Sequence, residues 1–191
     1  MADKTKTPMP DNPELLDKAI GYIQLGLVDS LPWLDKAYGR AERLVRMDGN
    51  GRRCYTPNVY AGGNDYVLVT PDSGIGNFCF FWVDDPQEVS VDTGVSIGIS
   101  TRFSIIFWLD YRKIFNTPNS RDRETVKRQI LDVLNGGFWM KSGSFRINRV
   151  YELAENIYKG FSLDETNNQF LMAPYGGFRF EGEMKVTENC I

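Results

Sequence analysis

Residues 174–186 read PYGGFRFEGEMKV, and the alternation in this stretch decides the fold. Phe178, Phe180, Met184 and Val186 take turns with Arg179, Glu181, Glu183, Lys185 and Thr187, and Gly182 interrupts the apolar series. A period of two puts successive side chains on opposite sides of a strand, so the segment has one dry face and one charged face. The charges admit two readings. On an edge strand they guard against aggregation; on a strand that pairs with a neighbouring subunit they set register and partner. The second reading makes Arg179, Glu181, Glu183 and Lys185 candidate subunit-interface residues.

The segments around this strand follow the same grammar. Residues 101–115 (TRFSIIFWLDYRKIF) form the strongest strand candidate, with Phe103, Ile105, Phe107, Leu109 and Tyr111 on one face. Residues 77–85 (NFCFFWVDD) are apolar on both faces, which marks a central or covered strand. Residues 55–76 place turn clusters around short apolar runs such as YVLVT, and residues 145–153 (FRINRVYEL) read as a further strand. Residues 154–161 suit a short helical turn or bend, and residues 174–177 a turn into the closing strand.

Two segments carry helical spacing. Asn12, Pro13 and Glu14 make a helix start, followed by Leu15, Leu16, Ala19, Ile20, Ile23, Leu27 and Val28, with Pro32 as the breaker. In residues 119–137, Ser120 or Asp122 caps, Val126, Ile130, Val133 and Leu134 form the stripe, and Gly136 or Gly137 stops the helix. The passage from Pro32 to Arg53 reads as irregular. Runs of strands with segregated helices define an α+β fold: a mainly antiparallel β-sheet with an N-terminal helix and a second helix packed on one face, plus an extended loop or hairpin. Residues 1–11 read as a flexible N-terminal arm and residues 12–191 as a single domain, in which 84–100 is a protruding hairpin or loop.

Composition narrows the chemistry. Aromatic residues are 13% of the chain, which favours strands and large contact surfaces over a plain helix bundle. The net charge of −3 makes no field for nucleic acid, so local charge matters more. Lys36, Arg40, Arg43, Arg46, Arg52 and Arg53 form a basic passage, whereas Asp84, Asp85, Glu88 and Asp92 form an acidic one without a base. Histidine is absent, so a Ser-His-Asp or Cys-His mechanism is impossible in this chain alone. Cys54, Cys79 and Cys190 are too scattered for a disulfide framework or zinc spacing and read as free thiols in a reducing compartment. The polar N-terminus and the lack of a long apolar run point to synthesis in a cytoplasm, with no membrane partner.

Candidate sites each have a plain structural reading beside the functional one. The glycines of residues 61–65 and 72–77 lack the lysine or spacing of a phosphate cradle and read as turns. The carboxylates of 84–92 match no cation-binding loop and read as a solvated acidic loop, so neither metal nor cofactor is expected. Arg40, Arg43, Arg46, Arg52 and Arg53, with Tyr38 and Tyr55 nearby, could touch phosphates, which keeps a nucleic-acid-binding accessory protein of a mobile element as the alternative function. More attractive is a basic edge that meets the acidic edge of the next copy, Asp84, Asp85, Glu88 and Asp92, because head-to-tail contacts close into rings.

The order of segments resembles the head-to-tail connector and tail-terminator-like proteins of tailed bacteriophages, especially those of Bacteroides-like hosts. The residues that carry the likeness are the helix NPELLDKAIGYIQLGLVDSLPWLDKAYGRAERL, the stretch YTPNVYAGGNDYVLVTPD, the strands FCFFWV and TRFSIIFWLDYRKIF, the helix RETVKRQILDVL and the closing block IYKGFSLDETNNQFLMAPYGGFRFEGEMKV. The likeness spans residues 12–186. It implies α+β subunits in closed rings, often of six or twelve copies, between portal and tail. Such a ring joins or terminates the tail around a channel through which DNA passes without sequence-specific binding. Portal, neck or tail proteins are its neighbours, the virion is its location, and no catalytic residue is carried over.

Overall fold

The computed structural model describes residues 6–63, 65–115, 122–135, 143–163, 166 and 168–189. Its centre is a pair of long strands, β6 (Ser96–Asp110) and β8 (Tyr175–Asn189), which are antiparallel along their whole length. Six further strands complete the sheet: β1 (Lys36–Met47), β2 (Arg53–Gly62), β3 (Asp65–Leu68), β4 (Phe78–Val83), β5 (Glu88–Asp92) and β7 (Gly143–Tyr151). The order is β3-β2-β1-β4-β6-β8-β7, with β5 also on β6, and among the described residues only the β1–β4 pair is parallel. Helices α1 (Leu15–Ser30) and α3 (Arg123–Asn135) cover one face. The α+β architecture expected from the strand and helix order is therefore the observed one.

Alternation explains why both sheet faces hold a core. Phe103, Ile105, Phe107, Leu109, Phe178 and Phe180 point under the helices, where they meet Ile20, Ile23, Leu27, Val126 and Ile130. On the opposite face Phe78, Phe80, Ile106 and Trp108 pack against Ile157, Tyr158, Phe161 and Phe170, from the short helix α4 (Ala154–Ile157) and the segment after it. Burying each such aromatic contributes ~1.5–3 kcal/mol. Strand β4 is apolar on both faces because it lies inside the sheet between β1 and β6. Tyr111, expected on the strand, opens the four-residue helix α2 (Tyr111–Ile114), capped by Asp110, and still points into the helix-covered core.

Several expectations are corrected. The closing strand is not an edge, nor is it open to a neighbouring subunit. It lies between β6 and β7, with both of its sides paired over residues 179–186. The passage after Pro32 is not irregular. It forms β1, whose charged outer half is supported by the antiparallel ladder to β2, from Ala41↔Val59 to Met47↔Arg53. The expected turn at 174–177 is largely strand, since β8 begins at Tyr175. A Cβ on Gly176 would sit 2.8 Å from the Tyr111 ring, and one on Gly177 would meet the Phe107 carbonyl. Gly176 leaves room for the Tyr111 ring and Gly177 for the backbone of β6, so both serve close approach rather than turning.

The N-terminal helix begins at Leu15 with no side-chain cap, so Asn12 does not play the expected role. The described part of the expected flexible arm lies against the body. The Lys6 carbonyl accepts from the Ala37 amide at 2.8 Å, Thr7 is buried, and the Gln24 amide donates to the Ala37 carbonyl at 2.7 Å and to the Pro8 carbonyl at 3.3 Å. Residues 1–5, Ser120, Gly136, Gly137 and Cys190, on which other expectations fell, lie outside the described residues. Val133 is only partly buried beside Val126, Ile130 and Leu134. Gly63 and Gly74 do stand in turns, whereas Gly62 ends β2 and Gly76 directly follows the second turn; Gly62, Gly63 and Gly76 have positive φ.

Candidate subunit interface

Two ribbons project from the body. The first is the outer half of β1 with β2, closed by a turn in which the Asp48 carboxylate accepts from the Asn50 and Arg52 amides at 2.9 and 2.7 Å. The second is the hairpin of β5 with β6, backed on the far side of β6 by the end of β8 from Ser100↔Lys185 to Ser96↔Asn189, and closed by a turn in which Val95 donates to the Asp92 carbonyl at 2.8 Å. Strand β1 runs parallel to β4, and β4 and β5 both run antiparallel to β6 along successive stretches of it. All three strands therefore point the same way, and both ribbon tips lie at one end of the molecule. Residues 84–100 form a hairpin rather than a loop, as one of the two expectations had it.

The two ribbons differ in charge and share exposed aliphatics. The first bears Arg43, Arg46, Arg52 and Arg53 together with exposed Leu44, Val45 and Met47. The second bears Asp84, Asp85, Glu88 and Asp92 together with exposed Val89, Val91, Val95 and Ile97. Val89 faces Ile99 and Val91 faces Ile97, so this apolar row continues the helix-covered face of the sheet past the end of its helical cover. At that end Lys18 of α1 holds Glu188 of β8 at 3.0 Å.

The structure brings Arg40 and Arg43 to the same cleft as Asp84, Asp85 and Glu88. The cleft encloses about 970 Å³, and Arg102, Glu183 and Lys185 also line it. Within one copy, then, the inner part of the basic passage already faces the acidic one. Arg46, Arg52, Arg53 and Asp92 lie farther out along the ribbons. Tyr38 is buried in the second core and offers no stacking face to a base, while Arg43 lies over the Tyr55 ring at 4.8 Å.

Arg179 is a different case. It was a candidate interface residue, yet it is only 4% exposed. Its guanidinium donates to Ser104 Oγ at 3.1 Å and to the Lys159 carbonyl at 2.8 Å, and pairs with Glu181 at 2.9 Å. It is removed from the interface set. The segment after α4 covers this part of the polar face, which no strand period could reveal. Glu181 is partly covered, and Glu183 and Lys185 stay exposed.

Sequence reasoning passed over Arg146 and Arg149 of β7. They stand opposite Glu183 and Glu181 on β8 and are exposed. Their signal was a basic pair in an alternating segment, but only the sheet order shows that β7 is at an edge. Among the described residues no three carboxylates or thiols are grouped to hold a metal ion. Cys54 and Cys79 are buried and form no disulfide among the described residues, and burial pushes the Cys79 thiol far above its ordinary pKa. No described helix is long and apolar enough to cross a membrane. No protein-family model matches the chain, and no curated protein is significantly similar to it.

Proposed function

We propose that this protein is a virion structural subunit that forms a closed ring at the head–tail junction or tail top of a tailed bacteriophage. The ring joins or terminates the tail around the DNA channel. The observation that carries this reading is the two-ribbon end of the domain. A basic ribbon and an acidic ribbon project together, each with aliphatic side chains that nothing in the described chain covers. Apolar patches beside charge of one sign mark interaction surfaces, and unlike surfaces on one subunit build head-to-tail rings when the rotation closes. The order of segments that resembles connector and tail-terminator proteins supplies the biological setting, and the α+β fold is of the kind that the resemblance implies. The ring role requires no catalytic group.

The test is a symmetry determination by electron microscopy on particles captured from the native source through a tag on this chain. A closed ring in a phage neck or tail is the expected result, and its symmetry supplies the copy number. An isolated monomer or dimer with no larger particle attached overturns the ring. Salt-sensitive DNA binding by that isolated species would then favour the nucleic-acid accessory role, carried by the basic ribbon.

A further inference from the structure

The sheet has edges whose patterns complement each other. Among the described residues β5 pairs only with β6, and β7 only with β8, so each turns one row of backbone N–H and C=O groups outward. On β5, Val89 and Val91 lie on the helix side, and Glu88, Ser90 and Asp92 on the polar side. On β7, Phe145 and Ile147 pack against the helix-side core, and Arg146 and Arg149 share the polar side with Glu183 and Glu181. The apolar rows of the two edges thus match, and so do their charged rows, with opposite signs.

Charge also alternates lane by lane across the polar face. Arg146 and Arg149 on β7 stand beside Glu183 and Glu181 on β8, and Glu183 stands beside Arg102 on β6. The next lane holds Asp84, whose amide donates to the Arg102 carbonyl at 2.9 Å, and then Glu88. An acidic strand placed outside β7 continues this sequence, and β5 is the acidic strand with a free edge. The edge strand β3 is a poorer match, being four residues long with one acid, Asp65.

Room exists on both sides of such a contact. Between α3 and β7 runs a groove of about 540 Å³ lined by Leu131, Leu134, Phe145, Ile147 and Val150. Beside β5 lies the cleft of about 970 Å³ bounded on its far side by Arg40 and Arg43. We propose that β5 of one copy adds to β7 of the next as an antiparallel strand. The inference rests on the ring reading above and names its interface. Direction agrees with it: β7 is antiparallel to β8, β8 to β6 and β6 to β5. Strands β5 and β8 therefore run the same way, and a copy rotated about a ring axis along the strands meets β7 antiparallel. Val89 and Val91 then lie over the groove beside α3, Glu88 and Asp92 lie beside the arginines of β7, and the sheet passes from copy to copy.

The test is cross-linking in the assembled particle. A chain carrying Ser90→Cys and Ser144→Cys in a Cys190→Ser background, treated with a short bismaleimide that tolerates a shift of register, gives a ladder of multimers up to the ring's copy number. Either cysteine alone, or neither, gives no ladder. A ring seen by microscopy without the ladder overturns the β5–β7 contact and leaves the ring reading standing; a ladder from Tyr66→Cys with Ser144→Cys instead assigns the partner edge to β3 and also overturns it. Absence of any ring sinks both. Charge reversal provides an independent measurement. Glu88→Lys with Asp92→Lys lowers the assembled fraction about tenfold, as two lost cross-strand ion pairs dictate, and adding Arg146→Glu with Arg149→Glu restores it. Unchanged assembly in the first variant, or no rescue in the second, counts against the contact.

Discussion

Replacing Arg179 by methionine separates a core role from an interface role. The methionine keeps most of the apolar stem but removes the donor to Ser104, the donor to the Lys159 carbonyl and the partner of Glu181. Breaking a fully buried pair costs about 3–5 kcal/mol. Here the Glu181 side chain is 25% exposed, so water compensates part of the loss, and ~2–4 kcal/mol is the discounted value. With a urea dependence of roughly 1–3 kcal/mol per molar, the unfolding midpoint falls by ~0.7–4 M. Tryptophan fluorescence can follow this on dilute, unassembled protein, since the chain has four tryptophans. A midpoint within ~0.2 M of the parent, on the same scale, would refute the assignment and return Arg179 to the surface.

Four further outcomes follow from the same geometry. Gly182→Ala puts a Cβ against the Arg146 carbonyl and 3.1 Å from the Ile147 Cα, both backbone, so it destabilises by ~1–3 kcal/mol in a thermal melt and disturbs the β7 edge. Asn77→Ala orphans the part-buried Trp33 carbonyl and the buried Asp110 amide, which Asn77 holds at 2.9 and 2.7 Å; its expected cost is ~1–3 kcal/mol by urea titration. Burial pushes the Asp110 carboxyl upward, but the Arg112 guanidinium and amide outweigh burial and hold it below its ordinary value. A depressed folded pKa contributes stability above the unfolded value of about 3.9 and loses it as pH falls toward and through the folded one. Asp110→Asn therefore lowers the urea midpoint at pH 7 and leaves a flatter decline below pH 4. Arg46→Glu with Arg52→Glu and Arg53→Glu leaves the monomer folded, because these side chains are exposed on the ribbon, where charge interactions contribute little. It reduces ring assembly in sedimentation; unchanged assembly removes the basic ribbon from the interface.

Much of the fold was legible because its longest strands alternate cleanly. The row Phe103, Ile105, Phe107, Leu109 and Tyr111 lies in the helix-side core, as do Phe178, Phe180, Met184 and Val186. Helix α1 was legible from its stripe, although its start was not, since local capping chemistry at Asn12 yields to the way residues 6–10 lie on the body. The outer half of β1 was illegible for a different reason. With residues 42–47 exposed, it lacks the contrast between buried and solvated positions on which pattern reading depends, and its strand character comes from the ladder to β2.

The candidate interface divides in the same way. The opposite charges of residues 40–53 and 84–92 stand in the sequence, and so does the alternation of Val89, Val91, Ile97 and Ile99. Burial of Arg179 does not, because the covering segment is distant in the chain and reaches it through the Lys159 carbonyl. Nor does the position of the closing strand. Local alternation determines that residues 175–189 form a strand and which side chains share its dry face. Which strands lie beside it depends on long-range hydrogen bonding, with Gly143 meeting Val186 on one side and Ser96 meeting Asn189 on the other. A period of two specifies faces and says nothing about neighbours; only the folded sheet decides which edges remain free to meet another copy.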